Sequence, residues 1–168
     1  MSIAYLALGS NLGGRHAFLA AALARLSALP ATRLAARGGV YETAPVGPQD
    51  QGAFLNTVVA LDTRLTPRQL LAAGQAIETA LGRLPENRRL RWGPREMDVD
   101  LLAFGDCVVD LPDLQLPHAR MAGRWFVLKP LADIAPGWVP PGWRQTVAEA
   151  LAQLEQTDPS CRGTLHVA

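Results

Sequence analysis

The sequence has few cysteines and no long apolar run. Its two cysteines, Cys107 and Cys161, are too few for a disulfide scaffold and lack the spacing of metal ligands, so we expect free thiols in a reducing compartment. The N-terminus carries no basic leader, and no stretch approaches the ~20 apolar residues that a membrane span needs. These absences predict a cytoplasmic protein that does not contact a membrane.

An excess of charge of one sign is also missing. The formal net charge of the 168 residues is +1 at pH 7, whereas nucleic-acid-binding domains usually carry a basic excess over a whole face. Lys129 is the sole lysine among the 16 basic residues, so arginine supplies nearly all the positive charge. A chain that is 49% hydrophobic and 18% charged can bury a sizeable core. We expect a single domain over residues 1–168, a monomer, and no nucleic acid partner.

Several common phosphate-binding and catalytic motifs are absent. There is no G-x-x-x-x-G-K-[ST] loop, and residues 9–14 do not form a dinucleotide-binding fingerprint although they follow a predicted strand. We interpret residues 9–14 as a turn between two elements. No H-E-x-x-H or paired-cysteine motif indicates zinc, and no nucleophile elbow indicates Ser-His-Asp chemistry.

Apolar periodicity and chain breakers predict both strands and helices. The predicted strands are residues 3–8, 34–41, 54–63 and 97–104, with a hairpin turn at 105–106, and the predicted helices are residues 18–29, 66–82 and 146–156. Residues 116–131 show a mixed pattern to which we assign no element. The order of elements predicts an α+β fold, a ferredoxin-like αβ sandwich with helices packed on an antiparallel sheet.

Local signals add detail to two of these helices. Thr66 with Gln69 has the spacing of a capping box at the start of the second helix, and Thr146 caps the last helix. The predicted buried stripe of the second helix contains Leu70, Ile77 and Leu81. On this helix Gln75 and Glu78, three residues apart, are predicted to share a face different from the buried stripe.

Two carboxylates fall on one face of the predicted strand at residues 97–104. Alternation places Asp98 and Asp100 together. It places the apolar side chains on the other face: Met97, Val99, Leu101 and Ala103. Side chains at i and i+2 of a strand lie roughly 6.5 Å apart, close enough to share one or two divalent cations. Carboxylate oxygens suit Mg²⁺, so we predict an exposed magnesium site at these two residues.

An arginine-rich segment leads into the acidic strand. Its basic residues are Arg83, Arg88, Arg89, Arg91 and Arg95. A bound metal together with a polyphosphate would bring both signs of charge into one site, since arginine suits phosphate groups. Asp-x-Asp pairs and arginine clusters are each common on solvated surfaces. The ordered combination of arginines, a rigid Gly-Pro turn and two acids on one strand face favours a phosphate site.

Residues 91–102 closely resemble the signature of the 6-hydroxymethyl-7,8-dihydropterin pyrophosphokinase family. The segment RWGPREMDVDLL meets that pattern at every fixed position, and further family-like stretches lie at residues 7–12, 41–43, 47–51, 54–56, 116–118 and 124–126. The resemblance implies a folate-pathway enzyme. Such an enzyme transfers the β,γ-pyrophosphoryl group of ATP to the pterin hydroxymethyl oxygen, releases AMP, and uses two Mg²⁺ ions.

The resemblance also implies roles for individual residues. The catalytic residues would be Arg83, Arg95, Asp98 and Asp100, and the two aspartates would hold the metal. ATP would contact Gln75, Glu78, Arg91, Trp92, Arg95, His118 and Arg124. The pterin would contact Thr43, Val46, Phe54, Asn56 and Phe126, with the two phenylalanine rings on either side of the flat ring and Asn56 at its amide and amine edge.

The chain departs from the family pattern at three places. Ala44 stands where members often have a proline, and Ala119 replaces an aromatic residue that some members carry after the histidine. The loop after Leu84 is two residues longer than in familiar members, so either Arg88 or Arg89 could be the middle arginine of that loop.

Two other classes of protein remain open from the sequence. A different Mg²⁺-dependent phosphotransferase, or a nuclease, could use the same acids and arginines. A ferredoxin-like RNA-binding module is the non-enzyme alternative, and it would need stacked aromatic residues on its central strands. Residues 3–8 offer only Tyr5 for that purpose.

Overall fold

Apolar residues build a sheet whose central strands are buried on both faces, while its shorter outer strands are partly exposed. The computed structural model describes residues 1–46, 50–83 and 94–166. Its strands are β1 (Ser2–Ser10), β2 (Thr32–Arg37), β3 (Tyr41–Thr43), β4 (Phe54–Thr63), β5 (Asp98–Phe104), β6 (Val109–Leu111), β7 (Leu114–Leu116) and β8 (Thr164–Leu165). Its α-helices are α1 (Arg15–Ser27), α2 (Pro67–Ala80), α3 (Trp125–Ile134) and α4 (Val147–Thr157). None of the helices in these described ranges is long and apolar enough to cross a membrane.

The main sheet is antiparallel, with strand order β5-β1-β4-β3-β8 and with β2 also paired to β4. Helices α1 and α2 cover one face, where Leu26 and Leu70 pack with Leu6 of β1. Helices α3 and α4 cover the other face, where Leu128 and Val147 pack with strand residues such as Val58 and Leu102. The predicted α+β architecture, an antiparallel sheet with packed helices, is confirmed. β6 and β7 form a separate two-stranded sheet.

Most element predictions are confirmed by the structure. The strand at 54–63 has the predicted bounds, and Thr66 and Thr146 each form a complete capping box, with Gln69 and Glu149 respectively. The prediction of one strand at 34–41 is wrong, because β2 and β3 are separate strands. Gly38 lies between them, and a Cβ atom there would stand 2.2 Å from the carbonyl oxygen of Pro130. The chain therefore passes too close to α3 to carry a side chain at this point.

Helix α3 was not predicted. Its sequence includes Pro130, and a proline inside a helix lacks the N–H that the preceding turn would bind, so the local pattern argues against a helix. Tertiary packing outweighs this signal, since Val127, Leu128 and Leu131 are at most 1% exposed beneath the sheet.

A β-bulge corrects the predicted faces of the acidic strand. The register between β1 and β5 shifts so that Tyr5 pairs with Ala103 and Leu6 with Leu101. Leu102 is the extra residue, and the alternation changes phase after it. The prediction that Ala103 lies on the same side as Val99 and Leu101 is therefore wrong. Asp98 and Asp100 precede the bulge, so their shared face is unaffected.

Asp133, an aspartate on the surface of α3, joins this helix to β3 and to the segment just before it. Asp133 Oδ2 accepts hydrogen bonds from the Gly39 N–H at 3.0 Å and the Tyr41 hydroxyl at 2.8 Å, and its Oδ1 lies 2.6 Å from Lys129 Nζ. Burial raises the pKa of Asp133, but its hydrogen bonds from Lys129, Gly39 and Tyr41 outweigh this and leave the pKa below its ordinary value. Its charged form is thus stabilised by folding.

Asp133→Ala should lower the free energy of unfolding by about 1–3 kcal/mol at pH 7, because it leaves two donors and a lysine without their acceptor. A lowered folded pKa contributes stability above the ordinary value of about 3.9, and that contribution is lost as pH falls through the folded value. The gap between wild type and variant in urea unfolding should therefore shrink below about pH 4. Asp113→Ala, which breaks the exposed Arg68–Asp113 pair, is the control and should change stability far less. Equal losses from both variants would contradict this role for Asp133.

Candidate active site

The candidate site lies where three neighbouring strands, β4, β1 and β5, run side by side. Gly9 of β1 pairs with Asn56 of β4 on one side and with Asp98 of β5 on the other. Asn56 therefore lies two strands from Asp98, across a residue that has no side chain. The even-numbered residues of β4 face α3 and α4, and so do the two aspartates of β5, because Val58 and Leu102 belong to that core.

A pocket opens on this face between the sheet and the start of α3. Its lining includes all five residues predicted to contact a pterin, which are Thr43, Val46, Phe54, Asn56 and Phe126, together with Arg95, Asp98, Asp100 and Arg124. The sequence separates these residues by as much as 83 positions, and the fold brings them into one cavity. Their roles toward a ligand stay predictions.

Asp98 is held between two arginines. Its Oδ1 lies 2.6 Å from Arg83 Nη1, and its Oδ2 lies 2.5 Å from Arg95 Nη1. Burial raises the pKa of Asp98, but the Arg95 and Arg83 guanidiniums outweigh burial and hold the pKa below its ordinary range. Asp98 is therefore an anion, and it orients Arg95, which lines the pocket, and Arg83, which lies behind Asp98 and is not among the lining residues.

Asp100 has the opposite electrostatics. Burial, and next the charge of Asp98, raise the pKa of Asp100 to about 6. Arg124 opposes this shift from 3.7 Å, the distance from its Nη1 to Asp100 Oδ2. The side chains of Asp98 and Asp100 are 20% and 37% exposed, so the expectation of an exposed acid pair is wrong for Asp98 and only partly right for Asp100.

The donor set fits Mg²⁺ that keeps most of its shell for water and phosphate. Two carboxylates converge on one pocket, and one of them carries a charge that its surroundings disfavour, so a divalent cation would relieve the repulsion. Within residues 1–46, 50–83 and 94–166, no group of three or more His, Cys, Asp or Glu side chains could enclose a metal. Two carboxylates alone would leave most of the shell of a bound Mg²⁺ to other oxygen ligands.

Glu78 is buried together with Leu70 and Ile77, which corrects the prediction that it lies on a different face from the buried stripe. Its Oε1 accepts a hydrogen bond from the Val99 N–H at 2.8 Å and is bonded to Arg83 Nη1, and burial raises the pKa of Glu78 to about 7. The physical reason is Gly74, where a Cβ would stand 3.1 Å from Val99 Cγ1. The missing side chain brings α2 onto β5 and turns Glu78 inward. Gln75 is exposed, as predicted.

Backbone hydrogen bonds fix His118, which is not among the residues that line the pocket, whereas Arg124 does line it. The His118 N–H donates to the Leu102 carbonyl oxygen at 2.7 Å, and His118 Nδ1 accepts the Arg120 N–H at 3.1 Å. Burial lowers the pKa of His118, so its neutral form is favoured. Arg124 precedes α3 and lies over the Phe126 ring, 5.7 Å from its centroid. The remaining predicted residues, Arg91 and Trp92 with Arg88 and Arg89, lie outside the described residues.

Sequence reasoning missed two residues of this region, Gly9 and Asn11. A Cβ at Gly9 would stand 2.9 Å from Asn56 Oδ1, so glycine leaves room for the Asn56 amide in the pocket. Asn11 is 6% exposed and bonds to two distant segments. Residues 9–14 look like a simple turn in the sequence. The sequence feature that points to Asn11 is the polar pair Ser10-Asn11, which directly follows an apolar run.

A family model and two relatives of this chain indicate the same family. A family model described as 7,8-dihydro-6-hydroxymethylpterin-pyrophosphokinase (HPPK) matches residues 5–136. The 2-amino-4-hydroxy-6-hydroxymethyldihydropteridine pyrophosphokinase of Methylorubrum extorquens is 50% identical over 155 residues, which is 92% of this chain and 95% of that protein. The protein of the same name from Pseudomonas aeruginosa is 52% identical over 132 residues, 79% of this chain and 80% of that protein.

Solved structures share the fold. The HPPK-DHPS of Plasmodium falciparum, solved with pteroate, superposes with a TM-score of 0.75 at 14% sequence identity and covers 94% of this chain. An HPPK-DHPS solved in complex with substrates gives a TM-score of 0.73 at 13% identity. The present chain spans 43% and 46% of those two chains respectively, so it corresponds to less than half of each.

Proposed function

Because the chain belongs to the 7,8-dihydro-6-hydroxymethylpterin-pyrophosphokinase family, we propose that its pocket binds ATP and 6-hydroxymethyl-7,8-dihydropterin side by side. The protein transfers the pyrophosphoryl group of ATP to the pterin hydroxymethyl oxygen, a step of folate biosynthesis, and AMP leaves. The observation that carries this proposal is the convergence of an aromatic and amide-lined half-pocket with an acid pair and arginines.

The pterin is proposed to bind the half of the pocket lined by β3 and β4. Phe54 and Phe126 supply aromatic faces for a flat ring, and such stacking contributes roughly 0.5–1.5 kcal/mol beyond burial. Asn56 Nδ2 donates to Thr43 Oγ1 at 2.9 Å, which fixes the orientation of the Asn56 amide. The amide carbonyl is then directed as an acceptor for the ring's amine and N–H groups.

The phosphates are proposed to bind the other half, beside β5. Mg²⁺ held by Asp98 and Asp100, two ions in our proposal, would neutralise phosphate charge and orient the phosphates when bound. Arg83 and Arg95, oriented by Asp98, lie where they would stabilise negative charge that accumulates on the transferring group. Arg124 lies between Asp100 and the Phe126 ring, at the border of the two halves.

Several finer assignments belong to the same proposal. ATP contacts are assigned to Gln75, Glu78, Arg91, Trp92, His118 and Arg124 from the family resemblance. The described side-chain contacts of Glu78 support a role in orienting Arg83. We also propose that the protein acts as a monomeric single domain in the cytoplasm, without nucleic acid.

Release of AMP from ATP and Mg²⁺, measured with and without 6-hydroxymethyl-7,8-dihydropterin, tests the function. We expect AMP only when the pterin is present, in equal amount to the pterin diphosphate formed. If AMP or ADP is released equally with and without the pterin, the site would be reassigned to another Mg²⁺-dependent phosphotransferase. If ATP binds but no AMP forms, the assignment of the pterin pocket is the first part of the proposal to be withdrawn.

Gly9→Ala should weaken pterin binding by about tenfold, an effect of about 1.4 kcal/mol. The added methyl group would stand 2.9 Å from Asn56 Oδ1 and must displace the amide that we assign to the pterin edge. Binding of the pterin and of an ATP analogue, each measured by calorimetry, checks this. ATP affinity should stay unchanged. Gly137→Ala is the matched control, since a Cβ there meets no atom within 4 Å, and an equal loss of pterin affinity in both variants would refute the role of Gly9.

A further inference from the structure

Asn11 makes an unusual set of hydrogen bonds for a residue at the end of a strand. Its backbone N–H donates to the Arg95 carbonyl oxygen at 3.1 Å, and its Oδ1 accepts the Arg95 N–H at 2.8 Å. Its Nδ2 donates to Gln51 Oε1 at 3.0 Å and to the Gly52 carbonyl oxygen at 3.1 Å. The side-chain partners lie 40, 41 and 84 positions away in the chain. Asn11 therefore joins distant segments and does more than close a local turn.

The two segments lead to opposite halves of the pocket. Residues 51–52 run directly into β4, which begins with Phe54 and carries Asn56. Arg95 lies three residues before Asp98 and reaches it with its guanidinium at 2.5 Å. Asn11 thus lies between the segment that places the pterin wall and the residue that places positive charge at the phosphates.

We propose that Asn11 is a positioning residue, which fixes the Arg95 backbone relative to the pterin half of the pocket. The proposal rests on the function proposed above. Both backbone polar groups of Arg95, its N–H and its carbonyl oxygen, are bonded to Asn11, so the point from which the Arg95 side chain starts is fixed to the end of β1. Of the side chains with this shape, only asparagine offers both an acceptor for the Arg95 N–H and two donors for residues 51–52.

Two substitutions of Asn11 distinguish its bond to Arg95 from its bonds to residues 51–52. Asn11→Ala removes all three side-chain hydrogen bonds. Asn11→Asp has the same shape and keeps the acceptor for the Arg95 N–H, but it loses the donors and sets a negative oxygen against the Gly52 carbonyl oxygen. Thr63→Val is a matched control, because Thr63 is 1% exposed and its hydroxyl bonds to Thr32 at 2.6 Å. Thr63 pairs with Ser2, at the opposite end of the sheet from Gly9 and Asn56.

Asn11→Ala should lower kcat by about 10- to 100-fold, because a displacement of a catalytic group by about 1 Å costs a factor of this size. The KM for ATP should change little. Asn11→Asp should keep more of the rate than Asn11→Ala. Thr63→Val should lower the melting temperature and leave kcat unchanged. If Asn11→Ala does not fold, the comparison of Asn11→Asp with Thr63→Val tests the proposal.

A double-mutant cycle with Arg95→Ala separates positioning from a general structural role. If Asn11 acts through Arg95, Asn11→Ala should have almost no further effect on kcat in the Arg95→Ala background. The same fold loss of kcat in both backgrounds, or a lowered melting temperature with wild-type kcat, would overturn the proposal.

Hydrogen exchange gives a readout that does not depend on turnover. The Arg95 amide should exchange faster in Asn11→Ala than in wild type, while amides in β2 and β4 near Thr63 stay protected. Wild-type protein without pterin-dependent AMP release would refute the proposed function, and the Arg95 exchange rate would still test the positioning. An unchanged exchange rate at Arg95 would overturn the positioning itself.

Discussion

Asp98→Asn and Asp100→Asn should each lower kcat by about 10³-fold or more, because each variant removes an anionic ligand from a site that we assign to Mg²⁺ and the ATP phosphates. Metal-based charge stabilisation contributes several kcal/mol to such a transition state, and each 1.36 kcal/mol is tenfold in rate. The rate of AMP release at saturating Mg²⁺, ATP and pterin is the measurement. Asp110→Asn, on the exposed strand β6, is the control and should keep wild-type turnover.

The same two variants should differ in stability. The charge of Asp98 is stabilised in the folded protein by Arg95 and Arg83, so Asp98→Asn leaves these arginines with one fewer partner and should lower the free energy of unfolding. The charge of Asp100 is disfavoured by burial and by Asp98, so Asp100→Asn should raise the free energy of unfolding at neutral pH.

The pH dependence of the Asp100→Asn effect follows from its raised pKa. A carboxyl whose folded pKa is about 6 costs stability when it is forced to ionise, and this cost develops as pH rises from its ordinary value of about 3.9 through 6. The stability gain of the variant, measured without metal by urea unfolding, should therefore be full above pH 6 and absent below about pH 4. Wild-type turnover in either aspartate variant would refute the assignment of Asp98 and Asp100 as metal ligands. Equal losses of stability in the two variants would contradict the electrostatic difference between the two carboxyls.

The features that the sequence predicts correctly are those with a local cause. A capping box depends on residues three apart, as at Thr66 and Thr146, and alternation of side chains along β4 depends only on the backbone period. Asp98 and Asp100 share a face for the same reason. The grouping of distant residues into one site came from the family pattern; the five residues assigned to the pterin line one cavity, and their roles toward a ligand stay predictions.

The features that the sequence does not predict depend on tertiary contacts. Glu78 turns inward because Gly74 lets α2 approach Val99, a contact between residues 25 positions apart. The bulge at Leu102 depends on how β5 aligns with β1. The bonds of Asn11 depend on two segments that meet only in the folded protein. In each case the cause of the local structure is a contact with a residue elsewhere in the chain.

Arg95→Ala should lower kcat by about 10²- to 10³-fold while changing ATP affinity by only a few fold, because loss of one preorganised donor to developing charge costs about this much. In the described structure Arg95 Nη1 is already paired with Asp98 Oδ2 at 2.5 Å, which holds the guanidinium in place before substrates bind. An interaction that strengthens as charge accumulates raises kcat, whereas one of constant strength affects only binding. The kcat from AMP release and the dissociation constant of an ATP analogue, measured separately, make this distinction.

Two further variants sharpen the test of Arg95. Arg68→Ala removes an arginine that pairs with Asp113 on the exposed surface, so it controls for the loss of one positive charge and should keep wild-type kcat. Arg95→Lys keeps the charge but loses the planar fork, which can hold Asp98 and a phosphate oxygen at once, so it should recover only part of the rate. If Arg95→Ala instead weakens the binding of the ATP analogue and leaves kcat unchanged, Arg95 stabilises bound ATP and the transition state equally. We would then assign the charge that develops during transfer to Arg83, the other arginine that Asp98 holds, together with the proposed Mg²⁺.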